Sequence, residues 1–311
     1  MTNNNISAEK IKALRIKTGA GMMDCKNALV ENEGEVEKAV EWLRKKGIAK
    51  ADKKSSRTAA EGLIGINSND KLACIMEVNS ETDFVSKNED FQKFINQLLQ
   101  RALEKKYSID DFLSSKYDQE NLIGEALKNL ISKIGENIVI RRLDYLDLQT
   151  QHIKFGYYLH NKVSDYLGKI GCIVVGNDQG EESKQLLKKI AMHISASKPI
   201  TVREEDLDDS LINKEKEIYA AQLSESGKPK DIIDKIVNGK VKKFISEITL
   251  LNQNWIMDPN KKVKNIIDDF NKEFGSNFSI IDFKLFILGE GVETKTKDFK
   301  DEVASQLNDN S

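Results

Sequence analysis

The hydrophobic pattern changes period near residue 61, and that change limits the fold more than any other feature. Before it, apolar residues recur at helical spacing. After it, Leu63-Ile64-Gly65-Ile66-Asn67, the polar Ser68-Asn69-Asp70 and the run from Lys71 to Val78 read as two strands around a turn. A helix follows, with Phe91, Phe94, Ile95, Leu98, Leu99 and Ala102 on one stripe. Another covers about 119–134, with Leu122, Ala126, Leu127, Leu130 and Ile134. Asn137-Ile138-Val139-Ile140-Arg141-Arg142-Leu143 then returns to a strand. Strand, strand, helices, strand is an α+β layer, with helices on one face of an antiparallel sheet.

The plan recurs. Residues 153–159 and 170–175 are strand candidates. Residues 181–193 form a helix ending near His193, closed by Ser197-Lys198-Pro199. A third strand lies near 278–288, where Ile281, Phe283, Leu285 and Ile287 alternate. Two related halves are expected, without a strong sequence repeat between them. An insertion over 203–250 separates the helix from that last strand. One arm carries Leu207, Leu211, Ile218 and Ala221. The turn Ser226-Gly227-Lys228-Pro229 follows, and the return arm carries Ile233, Ile236, Val237, Val241, Phe244 and Ile248. Two amphipathic arms around a tight turn make an antiparallel coiled-coil hairpin. Such a hairpin projects from the body and serves dimerisation or partner docking, unless it folds back. A last short helix is expected over 298–307, with Phe299, Val303 and Leu307 on its apolar face.

The first block reads as three short helices over residues 6–46. Ser7 caps the first, with Ile6 and Ile11 placed for a hydrophobic staple, and Gly19 ends it. The second runs from Met22 to about Glu31, and Gly34 breaks it from the third. There Val36, Ala39, Val40 and Leu43 fall at i, i+3, i+4 and i+7, and Gly47 is expected to stop the helix. Residues 44–57 then carry seven basic side chains against Asp52, a local net of +6. They read as a helix end and domain boundary, or as a contact with an acidic protein or RNA surface.

The 311 residues hold 48 basic and 50 acidic side chains, a net charge of −2, which argues against a global polyanion binder. A hydrophobic share of 39% is ample for a packed core. No apolar run is long enough to span a membrane. Met1-Thr2-Asn3-Asn4-Asn5 has neither the basic nor the apolar part of a leader, so a cytoplasmic protein is expected. Cys25, Cys74 and Cys172 suit a reducing compartment and no disulfide framework, while His152, His160 and His193 lack metal-ligand spacing. Thr18-Gly19-Ala20-Gly21 with Lys26 fails the phosphate-loop spacing, and no strand precedes it. No nucleophile elbow, kinase signature or Cys/His pairing is present. The expectation is a protein of contacts, without catalytic residues, metal or cofactor. One local feature stands out in Asn79-Ser80-Glu81-Thr82-Asp83-Phe84-Val85-Ser86, which joins a strand to a helix. Phe84 there is either a staple tucked under the helix or an exposed aromatic anchor beside a carboxylate.

Two long stretches carry a family resemblance. The first is Leu14-Arg15-Ile16-Lys17-Thr18-Gly19-Ala20-Gly21-Met22-Met23-Asp24-Cys25-Lys26-Asn27-Ala28-Leu29. The second is Glu77-Val78-Asn79-Ser80-Glu81-Thr82-Asp83-Phe84-Val85. Lys133-Ile134-Gly135-Glu136-Asn137, Ile190-Ala191-Met192-His193, the turn at 226–229, Trp255-Ile256-Met257 and Gly289-Glu290-Gly291 follow in order. In that order they resemble bacterial elongation factor Ts, the guanine-nucleotide exchange factors of elongation factor Tu, over nearly the whole chain.

The resemblance implies a ubiquitin-associated-like three-helix domain over 1–54 and a core subdomain over 55–146. A second core subdomain spans 147–202 and 251–290, the coiled-coil hairpin 203–250, and a C-terminal module 291–311. It also implies the partner, elongation factor Tu, in its GDP-bound and nucleotide-free forms. Arg15, Met22 and Met23 match a contact with the GTPase domain. Thr82, Asp83, Phe84 and Val85 match the turn that inserts between GTPase helices near the Mg²⁺ site. His160 matches a core histidine of the same interface, and Ile256 and Met257 an apolar pair that docks on another domain. A homodimer through 203–250 is a further expectation. Membrane and direct nucleic-acid binding are not expected; an RNA- or ribosome-associated protein using residues 44–57 is the alternative. Two departures stand out: Asn161 to Tyr166 is longer than the common family loop, and Asn254 stands where proline is common.

Overall fold

A computed structural model describes residues 6–149, 153–177, 180–224 and 229–293. The turn residues Ser226, Gly227 and Lys228, the helix expected over 298–307 and His152 lie outside the described residues.

The chain opens with α1 (Ala8–Thr18), α2 (Met22–Glu31) and α3 (Val36–Lys54). Ser7 caps α1 by accepting from the Lys10 amide at 3.2 Å. Leu14, Cys25, Ala28, Leu29 and Ala39 form the small core of this bundle. Gly47 does not stop α3, contrary to the sequence expectation. The helix runs seven residues further and buries Ala51 in the core of the next unit. A Cβ at Gly47 would come within 3.1 Å of Ser132 Oγ, so the glycine admits a neighbouring helix at close range.

The hairpin follows as β1 (Glu61–Ser68) and β2 (Leu72–Ser80). Then come α4 (Glu89–Ala102), a short α5 (Ile109–Leu113), α6 (Ile123–Ile134) and β3 (Ile138–Asp147). α6 starts later than the periodicity suggests. Asp118 Oδ1 accepts from the Glu120 and Asn121 amides at 2.8 and 2.7 Å, and that turn holds the chain out of helix until Leu122. The second half holds β4 (Ile153–His160), β5 (Leu167–Gly168), β6 (Ile170–Asn177) and α7 (Glu182–Ser197). The hairpin arms are α8 (Asp209–Ser224) and α9 (Lys230–Ile248). A small ribbon, β7 (Asn254–Trp255) and β8 (Asp258–Lys262), precedes α10 (Val263–Phe274) and β9 (Ser279–Ile287).

All strand pairs are antiparallel. One sheet has the order β3-β2-β1-β5 and the other β4-β6-β9. Each half therefore builds a strand hairpin, helices and a third strand, with the hairpin's second strand central. The two sheets face each other across Ile64, Ile66, Ala73, Ile75, Ile173 and Val175. The alternate residues Leu63, Cys74, Met76 and Val78 point outward to α4 and α6, and Cys172 and Val174 to α7. Helices on one face and a second sheet on the other explain why every residue of β2 is buried. Each large apolar side chain so buried contributes about 1.5–3 kcal/mol. The long loop after His160 returns as β5, which pairs Leu167 and Gly168 with Gly65 and Ile64 of the first sheet.

The hairpin projects. No residue of α8 is buried, and Ile218 and Ile232 are exposed; on α9 only Val237 and Val241 are buried among the described residues. Its base is tied down where Ile200 N–H donates to Ile248 O at 2.8 Å and Leu250 N–H to Thr201 O at 2.9 Å.

Candidate functional site

The Thr82–Val85 turn is built to hold one ring in solvent. β2 ends at Ser80, and a 3₁₀ turn over Asp83–Lys87 leads into α4. Glu136 grips Thr82 with both carboxylate oxygens, accepting from its amide at 2.9 Å and its hydroxyl at 2.7 Å. Asn137 N–H donates to Glu81 Oε1 at 2.6 Å. Ser80 Oγ donates to Thr82 O at 2.9 Å, and Ser86 Oγ to Asp83 O at 2.5 Å. Asn88 Oδ1 caps α4 by accepting from the Asp90 and Phe91 amides. Val85 is buried as the anchor. Phe84 beside it is 75% exposed and Asp83 is exposed too, so Phe84 is no staple under the helix. A lone exposed apolar residue is ordinary. An exposed phenyl on a turn with its backbone fixed at both sides is a pre-organised contact.

The loop between α1 and α2 lies at the same end of the first sheet. A Cβ at Gly19 would sit 3.3 Å from Lys133 Cε, and Lys133 pairs at 2.8 Å with Asp90 in the first turn of α4. Arg15 is exposed, as are Met22 and Met23, the first two residues of α2. Their neighbours Leu14 and Cys25 point inward, which fixes the outward register. Ile16, 77% exposed, joins this apolar surface and was not singled out from the sequence. Its signal was an isoleucine lying off the Ile11 and Leu14 stripe.

Ile256 and Met257 sit at the tip of the β7–β8 ribbon, both partly exposed. His193 braces that tip from below. Its ring is fully buried, stacked on Trp255 with centroids 5.1 Å apart. Ile256 N–H donates to Nδ1 at 3.3 Å, so the ring proton is on Nε2, which donates to Gln253 Oε1 at 2.9 Å. Gln253 Nε2 in turn donates to Ser197 O and Glu247 O, at 3.1 and 2.6 Å. Burial holds the imidazole below its usual pKa, against a smaller upward pull from Gln253. His160 is exposed, with Nδ1 3.2 Å from the Tyr158 hydroxyl. A cavity of about 410 Å³, lined by Tyr158, Lys188, Met192 and Met257 among others, brings the neighbourhoods of His160 and Met257 onto one surface. Met192 and Lys188 were missed in the sequence because only α7 packing places them there.

Comparisons with known proteins give the family. The family model described as "Elongation factor TS" matches residues 81–290, about two thirds of the chain. The chain is 44% identical to "Elongation factor Ts" of Bartonella bacilliformis over 304 residues, covering 97% of this chain and 98% of that protein. It is 46% identical to "Elongation factor Ts" of a Nitratiruptor species over 312 residues, covering 97% and 99%. The chain belongs to the elongation factor Ts family.

For a member of the elongation factor Ts family, the basic segment 44–57 has an internal use. Arg44 pairs with Glu125 at 2.8 Å, Lys45 with Glu41 at 2.8 Å and Arg57 with Glu81 at 3.5 Å. Lys46 lies 4.4 Å from the Trp42 ring centroid, and Lys54 Nζ donates to Gly135 O. Arg44 and Lys54 tie α3 to α6 and Arg57 reaches the stem of the Thr82 turn, while Lys45 pairs within α3. All three cysteines are buried, and burial pushes the Cys74 thiol up to about 12. Among the described residues no helix is long and apolar enough to cross a membrane, and no group of three acidic, histidine or cysteine side chains could hold a metal ion.

Proposed function

We propose that this chain binds elongation factor Tu carrying GDP and speeds nucleotide release, acting as an exchange factor without covalent chemistry of its own. The observation that carries the reading is Phe84, 75% exposed on a turn clamped by Glu136. Arg15, Met22 and Met23 add a second contact at the same end, and His160, Ile256 and Met257 a third on the other half. Inserting the Phe84 ring between GTPase helices near the Mg²⁺ site would disturb the cation that neutralises the diphosphate, and GDP then leaves faster. The thermodynamics is reciprocal coupling: whatever the factor subtracts from nucleotide affinity, nucleotide subtracts from the factor's. GTP binding then displaces the factor. Burying one phenyl ring supplies on the order of 2–3 kcal/mol, one or two decades of that coupling.

The test is release of a fluorescent GDP analogue from elongation factor Tu at fixed Mg²⁺. Acceleration at substoichiometric chain supports turnover as an exchange factor; no acceleration of a matched, active partner sinks the reading. The RNA-binding alternative needs free positive charge on 44–57. The pairs of Arg44, Lys45 and Arg57 count against it.

A further inference from the structure

A glutamate in the middle of a fully buried strand demands a reason. Glu77 lies on β2, five residues before Thr82, and its side chain has no exposed surface. Its carboxylate accepts from Arg141 Nη1 at 2.9 Å, Arg142 Nε at 2.6 Å and Asn79 Nδ2 at 3.0 Å. Consecutive strand residues ordinarily point to opposite faces. Here the β2–β3 register slips between Glu77 and Val78, with Glu77 opposite Arg142 and Val78 opposite Ile140. Arg141 is the extra residue of that bulge, which is how both guanidinium groups reach one carboxylate.

The fourth donor comes from the other half. Gly289 N–H, just beyond β9, donates to Glu77 Oε1 at 2.9 Å. Both arginines continue to the same turn. Arg142 Nη2 donates to Ile287 O at 3.0 Å, and its guanidinium lies 4.2 Å from the Phe286 ring centroid; Arg141 Nη2 donates to Glu290 O. Gly289 has φ +72°, and a Cβ there would come within 2.5 Å of Ala60 O, so the turn is closely fitted against the start of β1. This buried charge is fully partnered from both sheets. The apolar layer between the sheets sets their separation but is non-directional. Directed, charge-assisted hydrogen bonds fix the lateral position as well.

We propose that Glu77 is a positioning residue for nucleotide exchange: the joint that makes the sheet carrying Phe84 and the sheet carrying His160 a single stiff lever. The inference rests on the exchange reading above. A wedge strains its partner only if another contact bears the reaction force. On this chain the wedge follows β2 of the first sheet, whereas His160 ends β4 of the second and Met257 tops the ribbon that His193 of α7 braces. β2 runs unbroken from Glu77 to Ser80, two residues short of Thr82, so slack at the joint reaches the wedge directly.

The experiment titrates each variant against elongation factor Tu with labelled GDP and reads the plateau rate and half-saturation separately. Glu77→Gln is expected to lower the plateau about tenfold, within the range by which residues touching neither ligand alter coupling, while half-saturation moves less. In the Phe84→Ala background the same change is expected to add nothing, because there is no wedge left to brace. Arg141→Gln, at the partly exposed rim of the joint, is expected to act in the same direction and carries the test if Glu77→Gln does not fold. Unaltered plateaus in the folded variants overturn the proposal. So does a Glu77→Gln effect undiminished beside Phe84→Ala, which would mark general damage. No acceleration by the wild-type chain overturns the exchange reading and the joint with it, whereas an active wild type with unaltered variants overturns the joint alone.

Discussion

Two tips of this molecule expose apolar side chains, and they are braced by different chemistry. At the Thr82–Val85 turn the brace is a carboxylate: Glu136 takes both the amide and the hydroxyl of Thr82. At the β7–β8 ribbon the brace is a buried imidazole: His193 takes the Ile256 amide and is itself held by Gln253 and stacked on Trp255. In both, a polar group under the tip fixes the backbone, so an apolar residue can stay in solvent without collapsing inward. The comparison teaches that the exposed residue and its brace are separable. The tip sets what is touched, and the brace sets how stiffly. The tips also differ in task under the proposed function, Phe84 as the wedge and Met257 as an anchor.

The largest effect is expected from the wedge itself. Phe84→Ala removes an exposed ring, so stability should stay within about 0.5 kcal/mol of wild type. The plateau rate of GDP release should fall by about one to two decades, the equivalent of burying that ring. A plateau unchanged in this variant would remove Phe84 from the mechanism. The matching change at the other tip, Met257→Ala, should act on half-saturation, raising it about three- to tenfold at a plateau near wild type, as loss of an anchor does. If both variants change the same parameter, the division of labour between the tips is wrong.

Next in size is the brace of the first tip. Glu136→Ala leaves the Thr82 amide and hydroxyl without their acceptor, a cost of about 1–3 kcal/mol where water cannot replace it. Urea unfolding should report that loss, and hydrogen exchange at the Thr82 amide should rise more than at Ile256. Equal change at both amides would mean that Glu136 holds the whole fold and not the turn.

Much of this was readable from residues alone, and the exceptions share a cause. The α4 stripe and the β1–β2 hairpin were legible because each depends on neighbours close in sequence; the turn at 79–86 was legible too, but not whether Phe84 is tucked or exposed, since its clamp Glu136 lies 54 residues from Thr82. Gly47 was misread as a stop because its role depends on Ser132, which packs against it from another helix. α10 carries Val263, Ile266, Ile267 and Phe270 at helical spacing, so its signal was present and it was not among the elements expected. The braces were the harder case. Glu136 and His193 lie inside stretches that resemble the family, yet what each does needs a partner 54 or 60 residues away. Glu77 was similar: a charge in an apolar strand is visible, but its use requires Arg141, Arg142 and the Gly289 turn together.

The smallest effect expected is also the one that separates the two braces most cleanly. Imidazole is the side chain that ordinarily changes charge between pH 5 and 8. His193 is held below its usual pKa by burial, so on acidification the unfolded chain takes up the proton first. Stability from the neutral ring is therefore complete above about pH 6.5 and is lost as the pH falls through the lowered folded-state value, with a slope of at most about 1.4 kcal/mol per unit. Protonation also turns Nδ1 from an acceptor into a donor facing the Ile256 N–H, so the local contact must open. Protection of the Ile256 amide, corrected for intrinsic exchange, should fall as the pH drops below about 6.5, while protection of Thr82 changes less. His193→Gln should flatten the difference in unfolding free energy over that range. Equal pH dependence at the two amides, or an unaltered slope in the variant, would mean that the imidazole does not hold the second tip.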